Sequence, residues 1–243
     1  MDKIYREQQK IEYYQCDENQ RLKLTSLIDL MMVTSEHQLA AWGAGADELV
    51  KQGKGWVVTQ YHFDIAHLPT VGQTVTFQTE AAGYNRFFSY RNFTVTDAAG
   101  QELVKVTSRW VLFDLAKRKL LPSDEKLMEQ IGVAKLPKMP RFPRLRPLDQ
   151  YPVTGDYQVR YDDLDSNHHL TNSHYFSWLL DVYSRTFLRQ HQPKTIDLAF
   201  DKEVQYGQTA TVGLELTDLT AKQAIYSEAA TNAVCEITWQ NAD

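Results

Sequence analysis

The sequence predicts an α+β fold of two tandem modules, each a long helix wrapped by a curved antiparallel sheet. Three observations predict it: a ten-residue stretch that recurs in register, an apolar helical stripe after each copy, and four strand-like runs after each stripe. The first copy reads Tyr13-Tyr14-Gln15-Cys16-Asp17-Glu18-Asn19-Gln20-Arg21-Leu22. The second reads Tyr161-Asp162-Asp163-Leu164-Asp165-Ser166-Asn167-His168-His169-Leu170. Tyr13, Asp17, Asn19 and Leu22 meet Tyr161, Asp165, Asn167 and Leu170 at a constant spacing of 148 residues.

The helices keep that register. Leu27, Leu30, Met31 and Thr34 form an apolar stripe on a helix expected between Thr25 and about Leu49. Tyr175, Trp178, Leu179 and Val182 stand at the same spacing in the second half. Strands are expected at Trp56 to Ile65, Thr74 to Thr79, Arg86 to Thr96 and Leu103 to Leu112, all rich in Val, Thr, Phe and Tyr. Asp97-Ala98-Ala99-Gly100 reads as a hairpin turn. The second half offers Ile196 to Val204, Thr209 to Leu216, Ala224 to Ala230 and Ala233 to Gln240. Gly72-Gln73-Thr74 recurs as Gly207-Gln208-Thr209, each time between first and second strands.

Between the halves, Lys135 to Pro147 carries five cations and four prolines with no acid. Proline at that density forbids helix and central strand and favours an extended spacer. The expected organisation is therefore an N-terminal module over 1–134, a basic linker over 135–150 and a C-terminal module over 151–243. A helix with one apolar stripe must bury it, and a curved antiparallel sheet around it does so. Such a module resembles the hotdog fold, which normally pairs with a second copy to cover its open edge. Here the partner module lies in the same chain, so a double hotdog is expected.

Composition narrows the function classes. Hydrophobic residues make up 43% and charged residues 23%, an ordinary globular balance. A net charge of −5 argues against nucleic acid as partner. No stretch approaches the ~20 apolar residues of a membrane span. The segment Met1 to Glu7 is charged with no apolar run behind it, which leads us to expect a cytoplasmic protein, or else a mature organellar form. Cys16 and Cys235 form neither a disulfide framework nor a metal spacing.

The chemistry concentrates before the second helix. Asp165, Asn167 and His169 lie two residues apart, so in an extended segment they share one side. That side faces a helix entrance, where free N–H groups and the dipole favour negative charge. An acid, an amide and an imidazole there suit acyl transfer or hydrolysis. The competing reading is an ordinary helix start, capped by Asn172 or Ser173. His168, His169 and His174 match no zinc spacing, so neither a metal nor a cofactor is expected.

Asp-Leu-Asp-x-Asn-x-His-Leu-x-Asn-x-x-Tyr-x-x-Trp, from Asp163 to Trp178, resembles the signature of the acyl-acyl-carrier-protein (acyl-ACP) thioesterases. Trp56-Val57-Val58-Thr59 and Ser108-Arg109-Trp110-Val111-Leu112 resemble that family's first half. The resemblance implies hydrolysis of fatty acyl-ACP, with Asp165, Asn167 and His169 as catalytic residues. It also implies a further acid at Glu203, within Leu198-Ala199-Phe200-Asp201-Lys202-Glu203-Val204, where the plant pattern ends in cysteine. Valine at that last position removes a cysteine-based mechanism. Asp165 remains as nucleophile or as general base, and the sequence leaves that choice open. A coenzyme A thioesterase and a non-catalytic acyl-binding protein are the alternatives.

In the first copy Arg21 stands where the second has His169, and an arginine cannot shuttle a proton near neutral pH. That half is expected to be catalytically silent and to bind the acyl chain. Leu27, Leu30, Met31, Thr34 and Gln38, with Trp56 and Val58, are candidates for a tunnel wall, against the alternative that they are core. Lys135, Lys138, Arg141, Arg144 and Arg146 are candidates for docking the acidic acyl carrier protein, or else solvated charges of a crossover. A homodimer stays open.

Overall fold

The structure, a computed structural model, describes residues 3–138, 140–165, 170–228 and 230–242. Both halves follow one plan. The first runs β1 (Ile4–Lys10), a 3-10 turn (Tyr13–Gln15), α1 (Leu24–Ala41), α2 (Ala46–Lys51), β2 (Lys54–Ile65), β3 (Thr74–Tyr84), β4 (Ser89–Thr96) and β5 (Glu102–Asp114), then adds β6 (Lys119–Leu121) and α3 (Glu125–Gln130). The second runs β7 (Val153–Gln158), a 3-10 turn (Tyr161–Asp163), α4 (Asn172–Asp181), α5 (Arg185–Gln190), β8 (His191–Phe200), β9 (Thr209–Thr217), β10 (Thr220–Ser227) and β11 (Ala230–Asn241).

The spacing of 148 is physical. Single bridges Cys16–Leu22 and Leu164–Leu170 close the two equivalent loops. Reciprocal caps Glu12/Gln15 and Arg160/Asp163 start the turns before them. Some expected boundaries move. The helix expected to reach Leu49 stops at Ala41, because Gly43 turns left-handed (φ +69°) and α2 restarts at Ala46. The strand expected from Arg86 begins only at Ser89, since Asn85 Oδ1 accepts the N–H groups of Phe87 and Phe88 and holds a turn. The strand expected to end at Val204 ends at Phe200, and residues 201–204 leave the ladder.

The sheet is one continuous antiparallel surface ordered β1-β3-β4-β5-β2-β8-β11-β10-β9-β7, with β6 beside β5. That order reads the same from either end once halves are exchanged. The join is β2 against β8, from Gln60–Ala199 to Asp64–Thr195. Pairing there satisfies the edge that each half alone would expose. α1 and α4 pack against each other and against the sheet's inner face. Tyr61 and Phe63 of β2 meet Phe176 of α4 at ring separations of 6.3 and 5.6 Å, so one core serves both halves.

The proline-rich segment straps the opposite face. Lys135 bridges to Tyr84, Phe142 stacks on Tyr90 at 6.4 Å, and Gln60 Nε2 donates to the Pro143 carbonyl at 2.9 Å. A Cβ on Gly83 (φ +153°) would lie 2.4 Å from Leu136 Cγ, so only glycine admits the strap there.

His62 and Asp197 sit opposite each other at the centre of the join. His62 Nδ1 is 2.8 Å from Asp197 Oδ1, and Nε2 is 3.4 Å from Asp64 Oδ2. The hydrogen bond to Asp197 holds the imidazolium above the ordinary histidine range, against the pull of burial. A raised value means that the stabilisation is complete below about pH 6.5 and is lost as pH rises through the folded value. The pair is partly exposed, so it contributes at most about 1 kcal/mol. His62→Gln should flatten the pH dependence of Tm above pH 6.5 in calorimetry; a slope equal to that of the unsubstituted protein would exclude this pair as its source.

Candidate active site

The loop before α4 is built on Asp163, which is 1% exposed. Its Oδ2 accepts the Arg160 N–H at 2.8 Å, its Oδ1 accepts Arg160 Nη2 at 2.9 Å, and its carbonyl accepts the Thr171 N–H at 2.9 Å. Burial opposes its charge, yet the Arg160 bonds and nearby His174 hold the carboxyl below the usual range. Asp163→Ala should therefore cost about 1–2 kcal/mol, read as a shift in the urea midpoint. A shift below about 0.3 kcal/mol would show that the loop does not depend on this anchor.

Asp165 follows the anchor. It is half-buried in the wall of a cleft of about 450 Å³, beside Thr171, Asn172 and Ser173 of the α4 entrance. The opposite wall belongs to the first half: Ile28, Asp29, Met32, Ser35 and Leu39 of α1, Trp56 of β2 and Trp110 of β5. The free N–H groups of the first turn of α4 thus open onto the same space as a carboxylate. Asp29 accepts a hydrogen bond from Ser173, and burial raises its carboxyl above the ordinary range. Beyond Ser35, Leu39, Trp56 and Trp110 lies an inner cavity of about 70 Å³, closed by Arg91, Met128, Ile131 and Val133. Arg91 Nη1 donates to Gln38 Oε1 at 2.5 Å and to Thr79 Oγ1 at 2.8 Å. Burial lowers its guanidinium to about 10, so it stays charged near neutral pH.

Asn167 and His169 lie outside the described residues. Glu203 sits in the segment after β8 and is not among the residues lining this cleft. Its carboxylate pairs with Arg118 Nη2 at 2.8 Å, a residue of the first half's β5–β6 turn. Asn232 Nδ2 donates to its carbonyl at 3.2 Å. The next N–H, of Val204, donates to the hydroxyl of Tyr175 on α4 at 3.3 Å, which ties this segment to the helix that presents the loop. Burial pushes the Tyr175 hydroxyl up to about 12, so it remains neutral. Val204 is fully buried, and Cys235, on β11, is buried with its thiol pushed well above the ordinary range.

The residues expected to wall a tunnel fall in two groups. Trp56 lines both spaces, but Leu27, Leu30, Met31, Thr34, Gln38 and Val58 line neither. Leu27, Met31 and Val58 are core, Leu30 packs against it, Thr34 Oγ1 donates to the Leu30 carbonyl, and Gln38 holds Arg91 and the Lys3 carbonyl. The apolar stripe identifies the side of α1 packed into the core, whereas the cleft side mixes Asp29, Ser35 and Glu36 with Ile28, Met32 and Leu39. Of the linker cations, Lys135 pairs with Glu125 at 2.7 Å, and Lys138, Arg141, Arg144 and Arg146 are exposed. Asp29 and Trp110 carried no signal as site residues; their place on the cleft wall opposite Asp165 arises only from folding.

The equivalent loop of the first half is a clasp. Asp17 Oδ1 accepts the N–H groups of Asn19 and Arg21 at 2.9 and 3.0 Å. Arg21 donates to the carbonyls of His191 (3.2 Å) and Leu188 (2.8 Å), and Asn19 Nδ2 to that of Arg189 (3.3 Å). The side chain in the place of His169 is thus spent on joining the halves.

Comparison with known proteins agrees with this architecture. The profile of the acyl-ACP thioesterase N-terminal domain matches residues 2–131, and that of the C-terminal domain matches residues 148–241. A structure from Lactobacillus plantarum, described as an oleoyl thioesterase, is 34% identical, with a TM-score of 0.94 over 99% of this chain and 97% of its own. The 12:0-ACP thioesterase from Umbellularia californica shares the fold at 18% identity, with a TM-score of 0.87 over 100% of this chain and 99% of its own. Oleoyl-acyl carrier protein thioesterase 2, chloroplastic, from Arabidopsis thaliana is 25% identical over 163 residues, 62% of this chain. The matched region spans only 44% of that curated relative's length. Among the described residues no helix is long and apolar enough to cross a membrane. With both profiles matched in order along the two halves of the double hotdog, the chain belongs to the acyl-ACP thioesterase family.

Proposed function

We propose that this protein hydrolyses the thioester of a fatty acyl-ACP, consuming water and releasing a free fatty acid and the carrier thiol. The observation that carries the reading is one cleft in which the Asp165 carboxylate and the entrance of α4 face an apolar first-half wall leading to an inner cavity. The acyl chain enters along Met32, Leu39, Trp56 and Trp110, which leaves its thioester carbonyl beside Asp165. Asp165 takes a proton from a water that attacks the carbonyl, or attacks it directly to give a mixed anhydride that water then opens. The N–H groups at the start of α4 hold the developing oxyanion, a contribution of about 3–4 kcal/mol for one well-placed donor. In the family pattern Asn167 positions the aspartate or the water, and His169 orients Asp165 or protonates the departing thiolate. Glu203, steadied by Arg118, fixes His169 or polarises the water. The cytoplasm is the compartment this reading assigns.

The exposed cations Lys138, Arg141, Arg144 and Arg146 offer the acidic carrier a strap that crosses the sheet beside the first half. The test is an assay of the purified chain on a graded series of acyl-ACP and acyl-coenzyme A thioesters. Hydrolysis of acyl-ACP at a higher kcat/KM than acyl-coenzyme A supports the reading, and inactivity across both series overturns it. Reversing the four cations to glutamate should raise KM for acyl-ACP about tenfold and leave small thioesters unaffected. Equal losses on both would remove the docking role.

A further inference from the structure

We propose that the cleft repeating the active cleft across the seam is a second, non-hydrolytic site for a fatty acid anion, its carboxylate at Arg189 and its chain along Leu24, Leu180 and Trp239. The choice of ligand, the product of the proposed hydrolysis, rests on that reading; the cleft and its charge do not.

A space of about 290 Å³ opens beside the first-half loop closed by Cys16 and Leu22. Its lining repeats that of the Asp165 cleft place by place. Asp17, Lys23 and Leu24 stand 148 residues before Asp165, Thr171 and Asn172, and Leu180 stands 148 residues after Met32. Trp239 pairs with Pro193 next to a bulge at Lys194, as Trp110 pairs with Val58 next to a bulge at Thr59, so the two tryptophans are counterparts as well. The fold thus builds the cleft twice. In this copy Leu24, Leu68, Leu180, Leu188 and Trp239 supply apolar walls of the kind that take an alkyl chain, and they come from both halves.

The polar end suits an anion instead of hydrolysis. Both oxygens of Asp17 are engaged, Oδ1 by the N–H groups of Asn19 and Arg21 and Oδ2 by Arg21 Nη2 at 3.4 Å. Glu18 pairs with Arg185 Nε at 2.9 Å, and Asp181 accepts a hydrogen bond from Tyr157. The cations are less completely matched. Lys23 Nζ donates to the Tyr14 carbonyl at 2.9 Å, and the guanidinium of exposed Arg189 makes no hydrogen bond or ion pair among the described residues. Arg189 also marks the junction with a neighbouring cleft of about 640 Å³, which it lines with Arg21 and His67 and with no acid among the described residues. α1 starts at this cleft with Lys23 in the cap position and no side chain bonded to its first N–H groups, so its dipole adds to the positive field. A carboxylate is drawn to such a place, and the apolar walls beside it receive its chain.

The test is equilibrium dialysis of the full chain with dodecanoate below its micelle concentration, run beside the acyl-ACP assay. The expected result is two molecules bound per chain, with binding at one site weakened about tenfold or more in Arg189→Glu while kcat/KM for acyl-ACP stays unchanged. Dodecanol, which keeps the chain and loses the charge, should bind that site of the unsubstituted protein about tenfold more weakly than dodecanoate. A single dodecanoate per chain, or two that Arg189→Glu leaves untouched, overturns the inference and leaves the proposed hydrolysis standing. Loss of one of two sites in Arg189→Glu, in a protein that hydrolyses no thioester, sustains the second site and overturns the hydrolysis instead.

Discussion

Asp165→Asn is expected to lower kcat for acyl-ACP hydrolysis by about three orders of magnitude, with KM changed by less than about threefold. The amide keeps the shape of the carboxylate but can neither take a proton from water nor attack a carbonyl. Its effect should fall on the chemical step, because the groups proposed to hold the acyl chain, such as Met32, Trp56 and Trp110, line the opposite wall of the cleft. The fold should persist, since the loop keeps its anchor at the buried Asp163. Steady-state kinetics check the first expectation and a thermal melt the second. A variant that keeps more than about a tenth of the parental kcat would remove Asp165 from the reaction.

Phe63→Ala should be the most damaging core change, costing about 3–5 kcal/mol. Phe63 is fully buried on β2, the strand through which the first half joins the second. Its ring lies 5.5 Å from Tyr61 and 5.6 Å from Phe176 of α4, so its loss empties space at the seam between halves. At about 2–4 °C per kcal/mol for a chain of this size, Tm should fall by roughly 6–20 °C. Both halves should melt together in calorimetry, since one core holds them. A second transition from an intact half would contradict the shared core.

The duplication was legible because it is written in near neighbours. The caps Glu12/Gln15 and Arg160/Asp163, and the loops closed by Cys16–Leu22 and Leu164–Leu170, are settled within a few residues of chain. The strand runs were legible for the same reason, by alternation and composition, and so was the strap, through its prolines. Helix length was less so: Gly43 ended α1 within a stretch whose apolar pattern continued. The stripe of Leu27, Met31 and Thr34 reports which side of α1 is buried, and not which side faces the cleft. The cleft lies on the less uniform side, where Ser35 and Asp29 interrupt the apolar residues. Arg118 beside Glu203 was invisible, since 85 residues separate the partners and an exposed arginine carries no local pattern.

Sequence alone thus determined the doubled α+β plan, the loop that presents Asp165 and the inability of Arg21 to replace a histidine. These depend on capping, periodicity and the chemistry of single side chains, which short segments encode. Tertiary structure decided which side of α1 faces the cleft and which first-half arginine meets Glu203. A cavity is a property of contacts between distant residues. Only when α1, β2, β5 and the entrance of α4 are brought together do Met32, Trp56, Trp110 and Asp165 line one space.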